Sequence, residues 1–141
     1  MAAPDLVLTL PARPENVAVV RHAVGGLGDA LDIADAVIAD VKLAVTEACT
    51  NVVVHAYPDG EGPLEVAAAV GDDRLSIAVR DEGRGMRPRA DSPGLGLGLP
   101  LIATLAESLE LGSEAAEHGS EVRMTFRLDG LGARAADEEV S

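Results

Sequence analysis

Aromatic residues are nearly missing from this chain, which has no tryptophan, one phenylalanine and one tyrosine. An interior organised around large rings is therefore excluded, and the core has to be assembled from Val, Leu, Ile and Ala. Cysteine is almost as scarce. Cys49 stands alone, so no internal disulfide can form, and its place inside an apolar helical stripe predicts a buried thiol, not a reactive one. Positive charge is also in short supply: 24 acidic residues against 11 Lys and Arg give a formal charge of −13. That balance opposes approach to a nucleic-acid backbone or an anionic membrane surface, so neither is expected as a direct partner. Long apolar runs are absent, none approaching the ~20 residues of a membrane span. The first ten residues lack a basic segment followed by an apolar stretch. A cytoplasmic location is expected.

What the chain does have is alternating elements without internal repeats, on a length of 141 residues that suits one domain with one core. Leu6, Leu8 and Leu10 alternate with Val7 and Thr9 up to Pro11, which predicts a first strand. A helix is predicted from Pro14, with Glu15 near its positive end and Gly25, Gly26 and Gly28 terminating it. The next helix, Ala34 to Ala56, is the best specified. Val37, Val41, Ala44, Val45, Ala48 and Val52 recur at three- and four-residue steps and define a core-facing arc. Asp40, Glu47 and Asn51 fall along one edge of that arc, whereas Lys42, Thr46 and Thr50 point the other way. Tyr57-Pro58-Asp59-Gly60 supplies stop chemistry.

Leu64 to Val70 and Leu75 to Arg80, joined by Gly71-Asp72-Asp73-Arg74, read as a β-hairpin with Leu75, Ile77 and Val79 on one face. Asp81 stands at the exit of the second strand. Residues 82 to 96, rich in Gly and Pro, are too flexible for regular structure and form a candidate lid. A helix is predicted over Leu97 to Leu109, then a turn near His118-Gly119. A last strand follows from Ser120 to Leu128, with Val122, Met124 and Phe126 alternating. The expected organisation is one domain over residues 1–128 and a disordered acidic tail over 129–141.

Three segments carry chemistry in a fixed order: Glu47 with Asn51, then Asp81-Glu82-Gly83-Arg84-Gly85, then Gly94-Leu95-Gly96-Leu97-Gly98. An acid and an amide four apart on a helix can hold Mg²⁺ with a nucleotide and activate a nucleophile. Two glycine clusters can bring backbone N–H groups against a base and its phosphates. Three glycines alternating at a helix start cost ~1 kcal/mol each relative to alanine, which points to a need for bare backbone. The cluster is neither a Walker loop, since no Gly-Lys-Ser/Thr follows, nor a dinucleotide fingerprint, whose spacing differs. Arg80, Arg84, Arg87 and Arg89 gather cationic charge in an otherwise acidic chain, as an anion site requires.

In this order the segments resemble the GHKL, or Bergerat-fold, ATPase superfamily that includes gyrase B, MutL and histidine kinases. KLAVTEACTNVVVHAY (Lys42 to Tyr57) looks like its N-box, DEGRGM (Asp81 to Met86) like its first glycine box and GLGLGLPLI (Gly94 to Ile102) like its second. The Glu-x-x-x-Asn-x-x-x-His-Ala-Tyr form of the N-box and the closing Gly-Ser-Glu-Val strand look most like the RsbW/SpoIIAB anti-sigma-factor serine kinases. The resemblance runs from about Leu6 to Leu128. It implies a two-layer α/β sandwich: a mixed, mostly antiparallel sheet, helices on one face and a flexible ATP lid.

For the site, the resemblance implies that Glu47 is the general base and that Asn51 coordinates Mg²⁺. Asp81 accepts a hydrogen bond from the adenine amino group, and Gly83 and Gly85 let the chain pass close to the base, beside Arg84. Gly94, Gly96 and Gly98, with Leu97 among them, line the phosphates. His55 lies where relatives often have a basic residue near the phosphates, and Ser120 stands where many have a threonine beside the adenine. The implied partners are a sigma factor and a STAS-type anti-anti-sigma protein that receives phosphate on Ser or Thr, with Arg21 on the first helix facing a partner and the chain pairing as a homodimer. Two other classes stay open. One is a nucleotide-dependent binding module that transfers little or no phosphate; the other is a histidine kinase catalytic domain or a hydrolytic ATPase. Neither phosphoacceptor helices before Leu6 nor a transducer domain after Leu128 is in evidence, which weighs against the latter pair.

Overall fold

The computed structural model describes residues 3–58, 60–83, 93–112 and 119–129, and of residues 93–98 the backbone alone. The chain runs β1 (Leu6–Pro11), α1 (Pro14–Ala30), α2 (Asp35–Asn51), a single π-helical turn (Val52–Ala56), β2 (Pro63–Val70), β3 (Arg74–Asp81), α3 (Pro93–Leu105), β4 (Ser108–Gly112) and β5 (Ser120–Arg127). One sheet of order β1-β2-β3-β5-β4 results, and every pairing in it is antiparallel. The three helices cover one face, with α2 between α1 and α3.

Period-two alternation decides which side chains meet the helices. Leu64, Val66 and Ala68 of β2, Leu75, Ile77 and Val79 of β3, and Val122, Met124 and Phe126 of β5 are all buried and point to one face. They pack on the stripe that the helical period sets out on α2, where Val37, Val41, Ala44, Val45, Ala48 and Val52 are buried as expected. Cys49 is fully buried among them, and burial alone pushes its thiol pKa up to about 12. Among the described residues Phe126 is the one aromatic ring in the buried core, which is otherwise aliphatic apart from Cys49 and Met124. On the open face small side chains at Ala67, Ala69, Ser76 and Ala78 leave a hollow of about 280 Å³. There Arg80 donates to Glu65 and Glu121, each at 2.7 Å, tying β2, β3 and β5 together.

The structure moves four boundaries. Helix α1 does not stop at its glycines but continues through them to Ala30. The stop lies at Asp32, whose φ of 56° puts it in the left-handed region where Asp is among the few non-glycine residues tolerated. Gly28 is bare for packing: a Cβ there would stand 2.5 Å from Ile38 Cγ1, so the residue sets how closely α1 approaches α2. Helix α2 ends in a π turn instead of a regular last turn. Three consecutive valines, each losing rotamer freedom in a regular helix, sit where the turn widens.

Helix α3 starts at Pro93 and ends at Leu105, so Gly94, Gly96 and Gly98 lie in its opening turns. Residues 108–112, predicted as a helix end and the stretch beyond it, form the edge strand β4 paired with β5. There Leu109 and Leu111 alternate with Ser108 and Glu110, a period-two pattern too short to outweigh the apolar helix before it. Of the candidate lid, residues 84–92 lie outside the described residues, as do 130–141 of the expected tail.

Candidate functional site

The site starts from sheet register. Leu64, Asp81 and Ser120 stand side by side across β2, β3 and β5 on the face that meets the helices. Asp81 thus ends the apolar column Leu75-Ile77-Val79 with a carboxylate that is only 6 % exposed. Both of its oxygens are held. Oδ1 accepts the Gly83 N–H at 2.9 Å in an Asx turn, and Oδ2 accepts the Ser120 hydroxyl at 2.7 Å. Each oxygen keeps a free lone pair, so the group is rigid, acceptor-only and still able to take a donor from a ligand. Arg80, one residue earlier, points to the opposite face.

Around this carboxylate the backbone closes in tightly. The Gly119 N–H donates to Gly83 O at 2.8 Å, and Gly119 adopts φ 90°, a conformation side chains resist; a Cβ there would also meet Asp81 O at 2.7 Å. Gly83 lies against the end of the π turn, where a Cβ would reach within 2.1 Å of Ala56 O. The next residue, Tyr57, accepts the Glu82 N–H at 2.7 Å and donates to Pro63 O at 2.5 Å. The helix that carries Glu47 and Asn51 therefore ends in direct contact with the turn that carries Asp81 and Gly83.

Asn51, the last residue of α2, is more deeply set than an edge residue of the arc. It is 6 % exposed, and its Nδ2 has no hydrogen-bond partner among the described residues. A buried amide NH2 without a partner costs ~1–3 kcal/mol, a penalty that an acceptor oxygen from a ligand or a water would relieve. Glu47, one turn earlier, is half-buried, in keeping with an edge position. His55, also half-buried, sits inside the π turn, so it does not continue the Glu47-Asn51 row at a regular α-helical step. Gly94, Gly96, Leu97 and Gly98 open α3, which packs beside α2. Arg84 and Gly85 lie outside the described residues.

The structure therefore brings Asp81, Gly83 and Ser120 together and joins them to the end of the helix of Glu47 and Asn51. It adds the contacts of Tyr57, which the sequence marks as a helix stop and as the last residue of the N-box form, and of Gly119, which it marks as a turn. A glycine directly before Ser120 at a strand start was the available signal for Gly119. The N-box form carries Tyr57 but not its partners, which come from β2 and from beyond β3. The residues present suit a nucleotide, since they combine a buried amide NH2 without a partner among the described residues, a carboxylate with acceptor positions to spare and glycine-bare helix and turn backbones, and the amide oxygen of Asn51 is of the kind a divalent cation takes.

This chain belongs to the histidine kinase-like ATPase domain family, whose model matches residues 10–126. It is the GHKL, or Bergerat, architecture, and homology within it is clear to the RsbW-type kinases. The serine-protein kinase RsbW of Halalkalibacterium halodurans is 39% identical over 119 residues, covering 74% of this chain and 73% of that protein. The RsbW of Bacillus cereus (strain Q1) is 33% identical over 119 residues, covering 74% of each. Among solved structures, a chain of the SiaB-SiaC complex from Pseudomonas aeruginosa matches with a TM-score of 0.67 at 16% identity, covering 87% of this chain and 91% of that one, a likeness of fold. Among the described residues no helix is long and apolar enough to cross a membrane.

Proposed function

We propose that this chain is an ATP-dependent serine/threonine protein kinase that also sequesters a sigma factor, with a STAS-type anti-anti-sigma protein as phosphate acceptor. The observation that carries the proposal is the Asp81 carboxylate, fixed by Gly83 and Ser120 against the end of the helix of Glu47 and Asn51. The RsbW relatives support the choice of a serine as acceptor.

Bound Mg²⁺–ATP supplies the phosphoryl group and the metal charge that stabilises its transfer. The protein's part is to position and to move one proton. Asp81 takes a hydrogen bond from an exocyclic amino group; a guanine would instead set its carbonyl oxygen against the same acceptor. Ser120 holds that carboxylate and remains free to receive or bridge to the base through water. Asn51 turns its amide oxygen to the cation. Glu47, one turn away on the same helix face, accepts the proton of the attacking hydroxyl. The amides at the start of α3, from Gly94 to Gly98 with Leu97, receive phosphate oxygens in the field of the helix N-terminus, with His55 as the basic residue for the phosphates, while Gly85, like Gly83 and next to Arg84 in the sequence, has the role of letting the chain pass close to the base.

Arg21, exposed on α1, is the proposed contact to partner proteins. Phosphorylating the acceptor adds ~1.5 to 2 negative charges beside a chain of net charge −13, which weakens its hold and exchanges one partner for the other. The assembly is a homodimer acting in the cytoplasm, built on one domain over residues 1–128 with an acidic tail beyond it.

Incubation with γ-labelled ATP, Mg²⁺ and STAS proteins tests the proposal. The native chain labels a partner serine or threonine, and Glu47→Ala does not. ATP binding with capture of a sigma factor but no labelled partner would instead make the chain a nucleotide-dependent binding module.

A further inference from the structure

Tyr57 follows the π turn and is the chain's one tyrosine. Its ring rests on Gly62, where a Cβ would stand 2.1 Å from Cε1, so the ring direction is set by bare backbone on that side. Gly62 is itself anchored, since its carbonyl accepts the Ala12 N–H at 2.9 Å. The hydroxyl works in both senses at once, donating to Pro63 O and accepting from the Glu82 N–H, which leaves the phenol no rotational choice. Burial raises its pKa, more than the Glu82 contact lowers it, so the hydroxyl stays a donor through the neutral range.

The turn 81–83 is restrained in three ways. Its own Asx bond closes it, Gly119 and Ser120 hold it from β5, and Tyr57 with Ala56 holds it from the helix layer. Restraints of the first two kinds fix Asp81 relative to the sheet. Tyr57 supplies the hydrogen bond that fixes it relative to the helix of Asn51.

We infer that Tyr57 is a positioning residue of the nucleotide site, whose hydroxyl clamps Glu82 so that the Asp81 carboxylate stands at a set distance from Asn51 and reads the base. The inference rests on the adenine-site reading above. It separates two consequences that a merely structural tyrosine would not: loss of one clamp loosens base recognition at Asp81 and leaves contacts to the triphosphate alone. Phenylalanine keeps the ring on Gly62 and removes only the hydroxyl.

Calorimetry with Mg²⁺–ATP and Mg²⁺–GTP on the full chain provides the test, comparing native, Tyr57→Phe and Asp81→Asn. Native chain prefers ATP. Tyr57→Phe loses about tenfold in ATP affinity, the worth of one well-made hydrogen bond, while GTP affinity changes little, so the preference shrinks. A native chain that binds no ATP, or an Asp81→Asn variant with the native preference, overturns the site reading and this inference with it. Native and Asp81→Asn behaving as expected, with Tyr57→Phe keeping the native ATP-to-GTP ratio or losing both affinities equally, overturns the inference alone. Should Tyr57→Phe not fold, Gly62→Ala serves the same comparison, because it displaces the ring while keeping the hydroxyl. In native chain the Glu82 amide exchanges slowly with solvent, and fast exchange at that amide would also sink the clamp.

Discussion

Gly83 and Ala56 meet backbone to backbone: a Cβ on Gly83 would stand 2.1 Å from the Ala56 carbonyl oxygen. The contact joins the turn after β3 to the end of the π turn, and with it the two halves of the proposed nucleotide site. The resemblance makes Gly83 bare so that the chain can approach a base. The geometry adds that it must be bare to meet the helix end.

Gly83→Ala should therefore act on both folding and binding. The obstructing atoms are backbone, so the turn or the helix end must move, at a cost of about 1–3 kcal/mol. Urea denaturation should show that loss, and ATP affinity measured on the folded fraction should fall as well, because Asp81 moves away from Asn51. A variant with native stability and native affinity would show that the contact is not required.

The glycines of α1 offer a contrast within one helix. Gly28 is buried with Ile38 2.5 Å from its virtual Cβ, whereas nothing lies within 4 Å of Gly26. Gly28→Ala should destabilise by about 1–3 kcal/mol through the α1–α2 contact. Gly26→Ala should stabilise by ~0.5–1 kcal/mol, since alanine lowers the entropy of the unfolded chain and favours the helix. Thermal unfolding of the two variants should shift in opposite directions.

These positions also show how far the sequence is legible. Periodicity places β1, the start of α2, the β2–β3 hairpin and β5 within a residue or two, because each has a stripe of Val, Leu, Ile or Ala that only one face can bury, whereas the π turn that closes α2 is not legible in it. Gly25, Gly26 and Gly28 mislead. A glycine that lets two helices approach looks the same in one dimension as a glycine that ends a helix, and Asp32, in the left-handed region, takes the stop instead. The short edge strand β4 is hidden beside an apolar helix. At the site, Asp81 and Ser120 are legible as motif positions, and their hydrogen bond follows from strand register. Tyr57 is legible as the end of the N-box form, but its hydrogen bonds are not, because they are made by residues brought together only after folding.

Cys49 should be inert in the native chain. Its thiol is fully buried with a pKa pushed up to about 12, so alkylation at pH 8 should proceed only as fast as the core opens. The linkage has a definite sign. An unfolded thiol ionises near pH ~8.5, so the thiol's contribution to stability is fully present below that value and is lost as pH rises toward 12. Tyr57, also raised, pulls the same way at the alkaline end. Iodoacetamide labelling in native buffer should be slow, slower still with saturating ATP, and fast in urea. Fast labelling without denaturant would contradict the burial.

At the acid end the open face of the sheet sets the slope. Burial pushes Glu121 up, but its hydrogen bond and charge contact with Arg80, together with Arg123, outweigh this and hold its pKa below the usual carboxylate range. A depressed carboxylate adds stability above its unfolded pKa of ~4.3 and surrenders it as pH falls through the folded value. Thermal midpoints should therefore decline below about pH 5, and Arg80→Ala should flatten that decline while lowering the midpoint at pH 7. An unchanged acid slope in Arg80→Ala would assign the acid sensitivity to other carboxylates.

Asn51 carries the sharpest trade between stability and function. Its amide is buried with an unpartnered Nδ2, a cost the apo chain bears without return from any described residue. Leucine has nearly the same shape and would bury at that position without a polar atom to satisfy, so Asn51→Leu should raise the unfolding temperature of the nucleotide-free chain. The same change removes the oxygen that the proposal assigns to Mg²⁺, so magnesium-dependent ATP binding should drop at least tenfold and thermal stabilisation by Mg²⁺–ATP should vanish. A residue held for packing behaves in the opposite way, losing stability on substitution and leaving ligand response intact. Scanning calorimetry with and without Mg²⁺–ATP separates the two, because only a residue retained for its ligand yields a variant that is both firmer alone and deaf to nucleotide.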